Sequence, residues 1–406
     1  MNDTSIASAL QDRAALRDQD RASSAGPSAA WLAAGLLLAG LGTVMLGPVL
    51  PVLAHHWTLT DEQSGWLFQA KFIGACLGGM TVPRRLRLGI LAGTILSCAG
   101  FGAFALSTGL RSGCATLFVS GLGLGQIIAS SNILAGRRYA ERAGAALSTL
   151  NFFFSLGAIL TGVLAAAVMP RFGLRTTLFV FAGAFLLVGF GGALMRSRGH
   201  NSAPLSGASP TSVARTAIPF ALLAVFALAL VLYGGLETCM TGWLTTFTLR
   251  FSDERLLGGQ SPLVLLWAAL TAGRLLTGAL LRWLAESTLQ RLALGAAAIC
   301  IAALAVAHRG AAISALCILL GLSLAPFFPL TFAMLLRRGP SARAAGTVIA
   351  LSGLGAAFFP WLMGVVSTHS GSLRNAMLVP LLLAVALLAL SFAMLRPAPR
   401  GLPTER

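Results

Sequence analysis

Residues 121–144, GLGLGQIIASSNILAGRRYAERAG, share a pattern with residues 321–346, GLSLAPFFPLTFAMLLRRGPSARAAG. Each opens on a glycine, runs through small and apolar residues, and ends in a basic turn. The arginine pairs Arg137–Arg138 and Arg337–Arg338 lie 200 positions apart. A second pair of segments follows: SLGAILTGVLAAAVMPRFGLRTT at 155–177 and GLGAAFFPWLMGVVSTHSGSLRNA at 353–376. Here Gly157–Ala158 match Gly355–Ala356, 198 positions on. The two halves of the chain are copies of one pattern, and the fold must accommodate both.

That pattern is set by lipid. A chain of 406 residues would suit two or three soluble domains, but this one is 56% hydrophobic and only 10% charged, with a mean hydropathy of +0.83. Apolar runs of about 20 residues, each enough to cross a hydrocarbon core, recur throughout. We place spans at 29–52, 62–82, 88–108, 112–135, 143–168, 174–195, 216–249, 260–282, 289–307, 311–336, 343–367 and 374–395. The seventh is too long for one straight crossing, so part of it should project outward, and Gly234–Gly235 should let it bend. The expected fold is an all-α membrane protein of twelve helices in two pseudo-symmetric six-helix bundles, 29–195 and 216–395. Residues 1–28 and 396–406 read as cytoplasmic tails, the first flexible, and 196–215 as a cytoplasmic linker.

The net charge of +17 does not form a patch for nucleic acid, because the charges sit in short connections between apolar runs. One set of connections carries 20 basic residues and the other 7, with two more inside spans. The positive-inside rule then puts both termini in the cytoplasm. All basic residues but Lys71 are arginine, a bias that points to a GC-rich bacterial genome and an inner-membrane location. The cysteines (Cys76, Cys98, Cys114, Cys239, Cys300 and Cys317) lack C-x-x-C spacing and read as small packing residues, not as a metal site.

Three ionisable residues lie deep in spans: Lys71, Glu237 and Arg274. Each would cost roughly 2.5–3.5 kcal/mol at a helix centre on insertion scales, so each needs a partner or water. Lys71 shares a face with Gly74 and Gly78, small residues that permit close helix contact. Arg274 shares one with Trp267, Thr271 and Gly278. Glu237 stacks with Tyr233 and Thr241 in a polar stripe. Two readings stay open for Glu237: an ion pair with Arg274 or Lys71 that holds helices in register, or a group that binds substrate or carries a proton. No other acid lies deep in a span. Gln69, Gln126, Asn132 and Asn151 also lie within spans, where an amide is either helix glue or a cavity group. Trp66, Trp243, Trp267 and Trp361 offer stacking surfaces for a ring or serve as packing. All five histidines lie in loops or at span edges, so neither a membrane enzyme nor a metal cluster finds its residues. No cofactor is expected.

Two duplicated six-helix halves are the signature of an alternating-access transporter. The chain resembles the major facilitator superfamily over its whole membrane part, and within it the fucose permease group of sugar:proton symporters. The residues behind this are GLGLGQIIASSN in span four, LNFFFSLGA in span five, YGGLETCMTGW in span seven, LWAALTAGRLLTG in span eight and FFPLTFA in span ten. The resemblance implies that span seven, with Glu237, lines a central cavity and that Asn151 points inward. It further implies a secondary transporter of a small polar solute, a sugar or related metabolite, with protons as coupling ion and a monomer as the working unit. Exporters of anionic or amphiphilic compounds and passive facilitators share this fold and remain alternatives. Two departures stand out. The loop GMTVPR has Pro83 where the superfamily has an acid, and spans one and four lack the acids of the fucose permeases.

Overall fold

The computed structural model describes residues 29–138, 143–197, 219–253, 256–338 and 342–394. Nearly all of them are helical. Span one is two helices, Ala29–Val44 and Leu46–His56. Pro48 explains the break, since it has no N–H and its ring crowds the carbonyl four residues back, that of Val44. Span two, Asp61–Met80, starts with a capping box in which Thr60 and Gln63 satisfy each other's amides. Spans three and four are Leu86–Ala105 and Leu110–Arg138. Spans five and six form one helical stretch, Ala143–Ser197, broken at Gly173, where φ is 78°; glycine adopts that conformation freely.

In the second half, span seven is Phe220–Phe251, span eight Ser261–Leu280 and span nine Glu286–Val306. Span ten is again two helices, Gly310–Leu324 and Phe327–Arg337, interrupted where Pro329 removes the amide that would meet Ala325. Span eleven is Ala342–Ser370, and span twelve combines Leu373–Ala376 with Leu378–Met394. Ten stretches among the described residues are long and apolar enough to cross a membrane. One of them contains the Gly173 break and so counts twice. Asp61–Met80, less apolar because it carries Asp61, Glu62 and Lys71, brings the number to twelve.

Two details differ from the sequence reading. Span six runs to Ser197, two residues into the expected linker. Span seven is unbroken over 32 residues, roughly 48 Å at the helical rise, and the helix runs through Gly234–Gly235 without a break. The glycines serve packing instead: a Cβ on Gly234 would lie 2.5 Å from the Ser352 carbonyl oxygen, and one on Gly235 2.3 Å from the Phe359 ring. The tails 1–28 and 396–406 and linker residues 198–215 lie outside the described residues.

The duplication is visible in the packing. Spans one and five, two and four, three and four, and three and six pack together, as do seven and eleven, eight and ten, nine and ten, and nine and twelve. Equivalent atoms meet. A Cβ on Gly157 would fall 1.9 Å from the Leu37 oxygen, and one on Gly355 1.8 Å from the Val231 oxygen. Likewise a Cβ on Gly121 would fall 2.0 Å from the Lys71 oxygen, and one on Gly321 2.3 Å from the Leu266 oxygen. Spans one and seven are therefore related by an offset of 194, and spans two and eight by 195. The halves meet through spans two and eleven, five and eight, and one and seven.

Candidate functional site

Between the halves lies a cavity of about 30 Å³ lined by Thr43, Val44, Phe68, Phe72, Glu237, Thr238, Thr241, Gly242 and Trp267. The offsets found from the packing sort these walls. Thr43 corresponds to Glu237, Val44 to Thr238, and Phe72 to Trp267. Six of the nine walls are thus three equivalent pairs, which places the cavity on the pseudo-twofold axis. The chemistry is not symmetric. Where the first half has Thr43 and Phe72, the second has a carboxylate and an indole.

Glu237 is half-buried and faces this space. Neither Arg274 nor Lys71 approaches it within ion-pair distance; the described ion pairs are Arg250–Asp61 and Arg337–Glu286. The Tyr233 hydroxyl donates to the Leu324 carbonyl at 3.3 Å, and its ring stacks on Phe327 with centroids 5.0 Å apart. Arg274 reaches across the boundary between halves and donates to Ser155 Oγ at 2.7 Å. Thr241 donates to the Glu237 backbone carbonyl, one turn away.

Lys71 is 1% exposed and sits behind the cavity wall. Its Nζ donates to the Thr43 carbonyl at 2.6 Å and lies 5.4 Å from the Phe72 ring centroid. The break in span one leaves carbonyls near its end short of helical amides, and Lys71 supplies a donor to that of Thr43. The residue braces a broken helix with its ammonium group instead of meeting a carboxylate.

The remaining candidates separate. Trp267 lines the cavity, 2% exposed, edge-on to Phe154 with centroids 6.4 Å apart. Asn132 donates to the Ile128 carbonyl of its own helix. Gln126 has a buried Oε1 that meets no donor among the described residues. Gln69 and Asn151 are half-buried and are not cavity walls. Of the other tryptophans, Trp243 donates to the Pro360 carbonyl at 3.0 Å, Trp361 packs on Gly65, and Trp66 is 48% exposed.

The sequence reading missed Phe68, Phe72 and Thr43, which looked like ordinary span residues. It also missed how the halves join. Asp61 at the start of span two accepts two hydrogen bonds from Arg250 at the end of span seven, and one from Ser367 of span eleven. The Glu62 amide donates to Thr368 Oγ1, and Gln260 Nε2 to the Pro48 carbonyl. Charged residues at span ends were the only signal, and they do not name partners.

Comparison with known proteins agrees with this architecture. The sequence profile of the Major Facilitator Superfamily matches residues 32–351. The 4-hydroxybenzoate transporter PcaK of Pseudomonas putida is 30% identical over 151 residues, 36% of this chain and 34% of that protein. The niacin transporter NiaP of Acinetobacter baylyi is 29% identical over 145 residues, 34% of this chain and 33% of that protein. Each match thus spans about a third of the relative's length. Among solved structures, the Escherichia coli fucose:proton symporter FucP superposes over 91% of this chain and 98% of its own, with a TM-score of 0.61 at 16% identity. The nucleoside transporter NupG superposes over 90% and 99%, with a TM-score of 0.72 at 12% identity. With a profile match across both halves, the chain is a multi-pass membrane protein and belongs to the Major Facilitator Superfamily.

Proposed function

We propose that this protein is a secondary transporter for a small ring-bearing organic acid, bound at the pseudo-twofold cavity and moved by alternating access. The observation that carries the reading is the cavity wall: three aromatic rings (Phe68, Phe72 and Trp267) around one carboxylate, Glu237, with Thr238 and Thr241 beside it. Aromatic walls hold a flat ring, and Glu237 accepts from a ring hydroxyl when ionised or donates to a ring nitrogen when protonated. Support comes from the partial relatives, whose names refer to 4-hydroxybenzoate and niacin, both aromatic monocarboxylates. A sugar is the second reading, since aromatic rings and a carboxylate also suit a pyranose.

Glu237 is the proposed proton carrier, because no other acid lines the cavity. The basic connections define the proposed cytoplasmic face, which puts the Asp61–Arg250 pair on the outer face. The test is uptake by proteoliposomes holding the full chain, with radiolabelled 4-hydroxybenzoate, nicotinate and L-fucose, with and without an imposed pH gradient. Accumulation of an aromatic acid driven by the gradient is the expected result. Accumulation of fucose alone would replace this reading with the sugar one, and flux of none of the three would reject both.

A further inference from the structure

Trp267 carries a group that packing does not use. The residue is 2% exposed, and its Nε1 meets no hydrogen-bond acceptor among the described residues. Leaving a buried donor unpaired costs about 1–3 kcal/mol. Structural tryptophans in this chain avoid that cost: Trp31 donates to the Val188 carbonyl and Trp243 to the Pro360 carbonyl, both at 3.0 Å. Trp361 has the other buried indole N–H without an acceptor among the described residues, but it is not a cavity wall.

Pseudo-symmetry supplies the control. The position equivalent to Trp267 in the first half is Phe72, which lines the same cavity with a ring and no donor. A phenyl ring therefore suffices as wall, and the N–H is an addition peculiar to the second half.

We propose that Trp267 determines specificity: its indole N–H receives the carboxylate of the bound solute and selects rings that carry one over rings that do not. The inference rests on the cavity being the solute site. Glu237 repels a second carboxylate, so the solute lies with its acidic group at Trp267 and its ring hydroxyl or ring nitrogen toward Glu237 and Thr238. Arg274 is not a wall; its guanidinium donates to Ser155 of the first half. At about 30 Å³ the cavity has room for little more than a water, so a ring enters only when the halves part. Trp267 belongs to the second half and Phe68, Phe72 and Phe154 to the first, and that movement uncovers the N–H.

The test uses the full chain in nanodiscs and two matched pairs of probes, 4-hydroxybenzoate with phenol and nicotinate with pyridine, plus L-fucose. Trp267→Phe should weaken binding of the acids roughly tenfold, the worth of one hydrogen bond to a charged group, and leave phenol and pyridine unchanged. Trp267→His, which restores a ring N–H, should recover part of the loss. Should the variants fail to fold, the wild-type protein labelled with 15N at tryptophan still decides: the indole resonance in contact with the Phe154 ring should move with 4-hydroxybenzoate and stay with phenol. Equal affinity of wild type and Trp267→Phe for the acids, equal loss for acids and neutral rings, or an unmoved indole resonance would each overturn the proposal while leaving the cavity reading intact. Wild-type protein that binds none of the aromatic probes, or fucose alone, would overturn the cavity reading for aromatic acids and the proposal with it.

Discussion

Asp61 and Arg250, 189 residues apart in sequence, form a two-pronged ion pair that ties span two of the first half to span seven of the second. The two hydrogen bonds are 2.5 and 2.6 Å long, and Ser367 of span eleven adds a third to the same carboxylate. The pair lies at the end of the span that carries Glu237. Movement of the halves at this end must break it.

Asp61→Asn removes the charge and one strong acceptor while keeping the shape. An exposed ion pair contributes about 0–1 kcal/mol, and Arg250 is 40% exposed here, so the balance of states should shift up to roughly fivefold toward opening at this end. A cysteine placed at Thr241, in a background lacking the native cysteines, should react correspondingly faster with a reagent added from the Asp61 side. No change in labelling rate would show that the pair does not contribute to closure.

Lys71→Leu leaves the Thr43 carbonyl without its donor in a buried place, at a cost of about 1–3 kcal/mol. The variant should melt at a lower temperature, and Lys71→Gln, which keeps a donor, should recover part of the difference. No buried countercharge is stranded, so the loss stays below that of a broken buried ion pair. A Leu variant as stable as wild type would remove the bracing role.

Glu237→Gln keeps size and an acceptor but removes the titratable proton. Uptake against a gradient should vanish while exchange and downhill flux persist. If Glu237 serves binding alone, both should fall together through a higher KM. Unchanged uptake and pH dependence in a folded variant would exclude both roles.

Gly157→Ala and Gly355→Ala test the duplication. Each new methyl would fall within 2 Å of a carbonyl oxygen, which backbone neighbours cannot yield without separating helices. Both variants should express poorly or melt early, and to similar extents. Gly183→Ala, with nothing within 4 Å of the new methyl, should be neutral. Tolerance of one of the pair but not the other would mean that the equivalent contacts differ in weight.

Sidedness is checked by single cysteines in the same cysteine-free background. One placed within 198–215 should label only from the cytoplasm and one at His56 only from outside. Labelling of both from one side would reject the proposed orientation.

The sequence by itself determined the twelve spans, the two halves and the isolation of Glu237. Lipid satisfies no backbone amide or carbonyl, so each crossing must be a long apolar helix, and such runs are readable residue by residue. The duplication was legible because the arginine pairs and the Gly-Ala pairs survive in both copies. Only the tertiary structure decided what Lys71 touches, that Thr43 faces Glu237 across an axis and Phe72 faces Trp267, and that Asp61 meets Arg250. Within lipid almost any apolar residue satisfies the hydropathy pattern, so the pattern does not record which face of a helix meets which neighbour. That choice is made by close approach at a few glycines and by where a proline breaks a helix and frees its carbonyls, and both act on residues far apart in the chain.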